Sequence, residues 1–317
     1  MRIVSLVPSN TEICFALGLG DHLIGVTHEC DYPPAARSRP HVTRSVLAAE
    51  VTDGAEIDRR ISERAQQGQS IYELDVPLLE QLAPDLILTQ ELCIVCAVAY
   101  EDVLTIAQRL PGPPRVVSIE PRGVDEMLES ITTVGRLSGR TATAAAVTAA
   151  LRRRIEHIRA QVARERPPRR VVCLEWLDPP MVGGHWVPEM VALAGGRDVL
   201  GQAGQPSARV TWEQIREAAP EVIVLMPCGY DLSGTLAEAQ RAARAGEVLP
   251  PFLDEIPAVR ERQVYAVDGA GYFNRPGPRL VGGIEILAGI LHPERFARSR
   301  LAGAVQQIRL ETGEPVG

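Results

Sequence analysis

The sequence contains no lysine, because all 33 of its basic residues are arginine. Without a lysine amine the chain cannot form a Schiff base with a carbonyl substrate, and it cannot supply the lysine of a phosphate-binding loop. Acidic residues outnumber basic ones, giving a formal net charge of −7 at pH 7. Nonspecific nucleic-acid binding needs a basic surface, so this charge argues against a nucleic-acid partner.

Long apolar runs are absent as well, and no segment approaches the length needed to span a bilayer. We therefore expect no membrane partner. Met1 is followed at once by the first predicted strand, without the charged and apolar regions of a secretory leader. From this we expect a cytoplasmic location.

Predicted strands alternate with predicted helices in both halves of the 317-residue chain, which indicates an α/β fold with parallel sheets. The segment between the halves is rich in alanine and arginine and is predicted to be helical. The expected organisation is an N-terminal α/β lobe over 1–121, a connecting helical segment over 122–168, a C-terminal α/β lobe over 169–292 and a peripheral tail over 293–317.

The N-terminal lobe carries an insert over 44–75, in which Ile57, Ile61 and Ala65 form a helical stripe. We predict a helix with flexible ends. Two interpretations are open: the insert is a lid near the ligand, or it is a solvated excursion of the chain.

The first residues predict a strand over 2–6, a helix that ends at Gly18, and a second strand over 23–26. Ser9 and Glu12 have the spacing of a capping box for that helix. The loop after the second strand contains residues 28–34. Loops beyond the carboxyl ends of parallel strands line the ligand crevice in open α/β sheets, so this loop is a candidate wall of the site.

The chain resembles the iron-siderophore and vitamin B12 substrate-binding proteins, and within them the cobalamin binders most. The resemblance covers residues 2–292 and rests on S-L-x-P-x-x-T-E over 5–12, G-L-G-D-x-L-x-G-V over 18–26, C-D-Y-P-P over 30–34, P-D-L and P-E-V strand openings at 84 and 220, and the segments 178–184 and 194–196. It implies two Rossmann-like lobes joined by a long connecting helix, with a ligand cleft between them. It also implies a corrinoid such as cobalamin as the small-molecule ligand.

Aromatic residues make up only 4% of the chain, and several fall on loops expected at the crevice. Flat apolar rings suit a large macrocycle, whereas the alternative is that each is a residue at the rim of the core. Arg275 precedes the last predicted helix, where it could meet a phosphate or carboxamide or simply form a surface turn. From these patterns and the resemblance, the predicted ligand-binding residues are His28, Tyr32, Pro33, Trp176, Trp186, Tyr272, Phe273 and Arg275.

His28 has two interpretations. Cobalt in a corrinoid accepts imidazole as an axial ligand, and such a histidine needs its other ring nitrogen held, for which Glu29 and Asp31 are near in sequence. The alternative is a loop histidine that caps the end of a strand.

Four residues also match a metal site in type, namely His28, Cys30, Cys93 and Cys96. They would suit zinc or iron. They equally match a redox dithiol with a resolving partner, or small apolar residues that line a pocket. Cys14 and Cys173 fall within apolar segments and are expected to be inert core residues.

Importers of the resembling family present one glutamate per lobe to the transporter. Glu213 matches the second-lobe position, whereas the first-lobe position aligns with Pro77. Transporter docking is therefore doubtful. The leading hypothesis is a cytoplasmic corrinoid-binding protein. The alternatives are a metal-binding or thiol-redox enzyme on the same scaffold, and an importer subunit for B12, siderophore or haem whose leader was missed.

Overall fold

A computed structural model of the chain describes residues 1–46, 54–67, 70–91, 98–162, 167–244, 248–296 and 303–311. The chain divides into two compact units. Unit 1 comprises Met1–Pro121 and Glu126–Ala149, and unit 2 comprises Arg122–Asp125 and Ala150–Gly317.

The elements of the first half follow in chain order. The strands are β1 (Ile3–Ser5), β2 (Leu23–Val26), β3 (Thr43–Ser45), β4 (Tyr72–Leu74), β5 (Leu86–Thr89) and β6 (Arg115–Ser118). The helices are α1 (Pro8–Ala16), α2 (Gly54–Gln66), α3 (Val76–Leu82), α4 (Tyr100–Arg109), α5 (Val124–Leu137) and α6 (Thr141–Gln161).

Unit 2 adds seven strands and six helices among its described residues. The strands are β7 (Arg169–Leu177), β8 (Pro180–Val182), β9 (Gly196–Asp198), β10 (Ala208–Arg209), β11 (Val222–Leu225), β12 (Val264–Val267) and β13 (Val305–Ile308). The helices are α7 (Val187–Leu193), α8 (Trp212–Ala218), α9 (Leu232–Arg244), α10 (Pro257–Arg260), α11 (Gly269–Tyr272) and α12 (Leu280–Leu291).

Unit 1 is built on a four-stranded parallel sheet with the order β2-β1-β5-β6. The residues of β1 and β5 are buried along their whole length, as expected for strands covered on both faces. Because all four strands run in the same direction, their carboxyl ends meet at one edge. A separate antiparallel pair joins β3 to β4, at the two ends of the predicted insert. The helix predicted within the insert is α2.

Unit 2 contains a mixed sheet in which β9, β7, β11 and β12 are parallel, and β8, β10 and β13 pair antiparallel at its margins. The predicted α/β class, with parallel strands in both halves, is confirmed. Within the predicted peripheral tail, Val305–Ile308 forms an edge strand of this sheet and pairs antiparallel with β12.

The connecting segment is helical but is not one continuous helix. Between α5 and α6 the chain turns at Gly139, whose φ of +70° is the left-handed conformation that glycine adopts without strain. Leu137 ends α5 and Thr141 begins α6, and α6, with 21 residues, is the long helix of the predicted connecting segment. Among the described residues, no helix combines the length and apolar character needed to cross a membrane.

The beginning of α1 corrects the predicted capping box. The helix starts at Pro8 with Val7 as its N-cap, and no side chain caps it. Proline at the first helical position needs no N–H partner, which shifts the start ahead of Ser9 and places Glu12 inside a buried turn. The predicted end is confirmed, because Gly18 follows the helix with a φ of +70°.

Two glycines of α12 allow a matched test of how this helix packs. A methyl group at Gly283 would collide with the Tyr272 carbonyl oxygen and would lie 2.5 Å from Met190 Cε, whereas nothing lies within 4 Å of one at Gly289. We predict that Gly283→Ala lowers the free energy of unfolding by about 1–3 kcal/mol. Gly289→Ala should raise it by ~0.5–1 kcal/mol, because alanine favours the helix. Urea denaturation measures both, and equal effects would contradict this packing.

Candidate functional site

Several polar side chains are buried at the carboxyl edge of the sheet in unit 1. Thr11 Oγ1 donates to Ser5 Oγ at 2.8 Å, and Ser5 Oγ donates to the Val7 carbonyl oxygen at 3.0 Å. Cys30 Sγ lies 3.1 Å from Thr11 Oγ1. Because the Thr11 proton is directed to Ser5, the Cys30 thiol is the donor in this contact. Cys30 is thus a buried proton donor at the end of a hydrogen-bonded chain.

His28 lies directly beyond β2 and is held by Thr43. The chain segment before Thr43 runs beside β2, where Val42 N donates to the Val26 carbonyl oxygen at 2.9 Å. This pairing places Thr43 Oγ1 3.1 Å from the backbone nitrogen of His28 and 2.8 Å from its Nδ1. The expectation that Glu29 or Asp31 would hold the ring nitrogen is therefore wrong.

Glu29 has a different role beside the same ring. Its Oε1 accepts a hydrogen bond of 2.5 Å from the Tyr72 hydroxyl, and the Tyr72 ring lies 5.2 Å from the His28 ring at an interplanar angle of 60°. Burial lowers the pKa of His28, partly offset by the Glu29 carboxylate, and His41 lowers it further. A neutral imidazole is the form that can coordinate a metal ion.

The other residues predicted for unit 1 fall into two groups. Tyr32 is exposed, at 45% of its surface, and Pro33 is half-buried beside it.

Cys93 and Cys96 lie outside the described residues, so the four-residue thiol-imidazole site stays a prediction. Within the described part of the chain, no group of three or more histidine, cysteine, aspartate or glutamate side chains is placed to hold a metal ion. Cys14 and Cys173 are fully buried, and burial raises the pKa of Cys14 to about 12, which confirms them as inert.

In unit 2 the strand ends bring Trp176 together with Tyr230. Their rings are stacked, with centroids 5.9 Å apart and an interplanar angle of 15°. A shift of register in β7 between Leu174 and Trp176 bends the strand end, and Ala270 N donates to the Tyr230 carbonyl oxygen at 2.9 Å. Both aromatic side chains are half-buried. They form a stacked aromatic pair beyond the carboxyl ends of β7 and β11.

Of the four other predicted residues of unit 2, two are buried and two are half-buried. Phe273 is fully buried, and its carbonyl oxygen accepts a 2.7 Å hydrogen bond from Trp186 Nε1, whose residue is 8% exposed. This burial favours a structural role for both residues over ligand contact. Tyr272 is half-buried, with the Arg279 guanidinium 5.7 Å from its ring centroid, and Arg275 is half-buried in the turn before α12.

Each unit also holds an asparagine that the sequence prediction missed. Asn10 Nδ2 donates to the Thr89 carbonyl oxygen at 3.3 Å, and Asn274 Nδ2 donates to the Met226 carbonyl oxygen at 3.2 Å. Both carbonyl acceptors lie at strand ends, β5 and β11. The Oδ1 atoms of the two asparagines are buried, and neither has a hydrogen-bond partner among the described residues. A buried acceptor without a donor costs free energy, so each asparagine holds a strand end at some expense of stability.

Glu213 lies in the first turn of α8, and its side chain is exposed. Hydrogen bonds from its own backbone N–H and from the Thr211 side chain lower the pKa of this carboxyl. With Pro179, Pro180 and Trp212 it lines a surface depression of about 320 Å³. Thr211 and Gln214 form a complete capping box before it.

The chain was compared with known proteins. Residues 3–270 match a family described as "Periplasmic binding protein". A vitamin B12-binding protein of Vibrio cholerae is 26% identical over 298 residues, covering 90% of this chain and 86% of the relative. The crystal structure of the periplasmic vitamin B12-binding protein of Vibrio cholerae superposes with a TM-score of 0.66 at 23% identity, covering 92% of this chain and 96% of the other. The periplasmic haem-binding protein of Roseiflexus gives 0.69 at 23% identity, covering 92% and 98%.

The tryptophans offer a matched test of the contacts in unit 2. Trp186→Phe removes the donor to the Phe273 carbonyl oxygen and should lower the free energy of unfolding by about 1–3 kcal/mol. Trp176→Phe removes a similar number of atoms, but its Nε1 is buried without a partner among the described residues, so we expect little change. Denaturant unfolding compares the two variants. A larger loss for Trp176→Phe would contradict the described hydrogen bonds.

Proposed function

The chain belongs to the periplasmic binding protein family, and we propose that it binds a metal-centred tetrapyrrole, with cobalamin the favoured ligand. Family membership confirms the resemblance found in the sequence. Relatives with this overall likeness are named for vitamin B12 and for haem. Cobalamin is favoured because relatives found by sequence, at 26% and 24% identity, are named for vitamin B12.

The observation that carries the proposal is the stacked pair of Trp176 and Tyr230. A corrin or porphyrin exposes a broad, mainly hydrocarbon face, and aromatic rings supply large apolar contact with little loss of conformational entropy. Because each ring is held by stacking on the other, the pair can offer its remaining apolar surface to such a face without rearrangement. The position fits as well, since ligands of open α/β sheets bind beyond the carboxyl ends of the strands.

Capture and release of the ligand is the whole of the proposed mechanism. Transport partners and cytoplasmic location stay predictions, and cell fractionation tests the location.

Glu213 is exposed and ionised, so it could meet a cationic partner, but the corresponding Pro77 of unit 1 offers no charge. Nearby Glu73 is engaged with Arg44 at 2.7 Å.

We predict that the purified chain binds cyanocobalamin and that Trp176→Ala weakens this binding about tenfold or more, a loss of ~1.4 kcal/mol. Trp176→Phe should retain most of the affinity, because it keeps a flat ring opposite Tyr230. Isothermal titration calorimetry measures both, and circular dichroism confirms that each variant is folded.

Cys93→Ser and Cys96→Ser distinguish the proposal from the thiol hypothesis. We expect cyanocobalamin affinity unchanged in these variants. Zinc or iron at one equivalent in the purified protein, lost with these cysteines, together with no binding of cobalamin, would contradict the proposal and favour the metal or redox site.

A further inference from the structure

His185 lies in the turn between β8 and α7, with its backbone in an uncommon conformation. Its φ is +49°, in the left-handed region that residues other than glycine seldom adopt. Two backbone hydrogen bonds hold it there. His185 N donates to the Gln205 carbonyl oxygen at 2.6 Å, and Gly204 N donates to the His185 carbonyl oxygen at 2.8 Å. Strained positions of this kind are concentrated at ligand clamps, which makes the His185 side chain a candidate for ligand contact.

The imidazole ring of His185 is held in place while it remains partly accessible. The residue is half-buried, and its ring stacks on Trp186 with centroids 5.6 Å apart and an interplanar angle of 29°. The Trp186 ring is itself fixed by its hydrogen bond to the Phe273 carbonyl oxygen. Within the described part of the chain, no hydrogen bond uses the ring nitrogens of His185. The imidazole can therefore donate an N–H to a bound molecule.

A cationic side chain, Arg122, lies close to this ring and belongs to the same unit. Glu189, in the first turn of α7, accepts a 2.7 Å hydrogen bond from Val124 N, which fixes the segment that begins at Arg122. Burial lowers the pKa of His185, and the charge of Arg122 lowers it further. Arg122 is exposed, so its guanidinium can be reached from solvent. An anion placed between a guanidinium and an imidazole N–H is bound by both groups.

One short segment of unit 2 links His185 to the stacked aromatic pair. The Phe273 carbonyl oxygen accepts from Trp186, the neighbour of His185. Ala270 N, in α11, donates to the Tyr230 carbonyl oxygen at 2.9 Å. All of these contacts lie within unit 2. A large ligand on the aromatic pair can therefore extend to His185 without leaving this unit.

We propose that Arg122 and His185 bind an anionic substituent of the tetrapyrrole. The inference rests on the proposed function and deepens it by naming a contact to the margin of the ligand. Cobalamin carries a phosphodiester in its nucleotide loop, and haem carries propionate carboxylates. Both kinds of anion accept hydrogen bonds from a guanidinium and from an imidazole N–H. The chemistry recognised is a peripheral anion, and the two macrocycles differ in the anion that they offer.

The first experiment compares cyanocobalamin with dicyanocobinamide, which has the same corrin but lacks the nucleotide loop and its phosphate. Isothermal titration calorimetry of the full chain measures both affinities. We expect Arg122→Ala and His185→Ala each to weaken cyanocobalamin binding about tenfold or more. Both variants should keep the affinity for dicyanocobinamide within about twofold, because that compound offers no phosphate to these residues.

A second variant at the strained position separates loss of the imidazole from loss of the fold. Glycine adopts the left-handed conformation without strain, so His185→Gly keeps the turn and removes only the side chain. It should lose cyanocobalamin affinity to the same extent as His185→Ala. Arg153→Ala and His157→Ala are the matched controls, because both residues are exposed on α6 within unit 2. They should leave every affinity unchanged.

A second arm uses haemin and its dimethyl ester, in which the propionates carry no charge. A loss in Arg122→Ala and His185→Ala with cyanocobalamin but not dicyanocobinamide identifies a phosphodiester as the anion. A loss with haemin but not its ester identifies a carboxylate.

Three results overturn this inference and leave the proposed function standing. They are equal losses for a charged compound and its uncharged counterpart, no loss for any compound, and a phosphate-dependent loss confined to Arg275→Ala. Failure of all four compounds to bind the wild-type chain overturns the proposed function as well.

Discussion

The rest of the structure depends on one constraint. Polar groups that lie where the parallel strands end must find hydrogen-bond partners. Within a sheet the backbone groups pair with neighbouring strands, but beyond Ser5, Val26 and Thr89 the chain turns and its side chains must take over. In unit 1 hydroxyls and a thiol do so through chains of hydrogen bonds. Among the described residues, Thr89 Oγ1 and the Oδ1 atoms of Asn10 and Asn274 are buried without a hydrogen-bond partner.

The two units meet this constraint in different ways. In unit 1, Thr43 Oγ1 lies 2.8 Å from His28 Nδ1 and fixes the imidazole ring. In unit 2, Trp176 and Tyr230 stack beyond the strand ends and supply apolar area. Aromatic rings of this kind contribute large apolar contact where they meet a ligand.

Sequence patterns predicted the strands and helices well, because apolar runs and glycine or proline boundaries are local signals. The contacts that build the site are not local. Thr43 lies 15 positions from His28 and gives no sign of its role, since it depends on a chain segment running beside β2. Likewise, Trp186 and Phe273 were predicted to meet ligand, but aromatic composition cannot distinguish a buried ring from an accessible one. Tyr230 was not among the predicted site residues, because its stacking on Trp176 depends on the fold.

Native mass spectrometry of the full chain with an equimolar mixture of cyanocobalamin, haemin and a ferric siderophore tests the central claim most directly. All three ligands are offered to the same molecules at once, so the retained mass identifies the preferred chemistry without assuming it. The account predicts a single cobalamin retained per chain under gentle activation. Retention of the siderophore alone, or of no ligand, would contradict it.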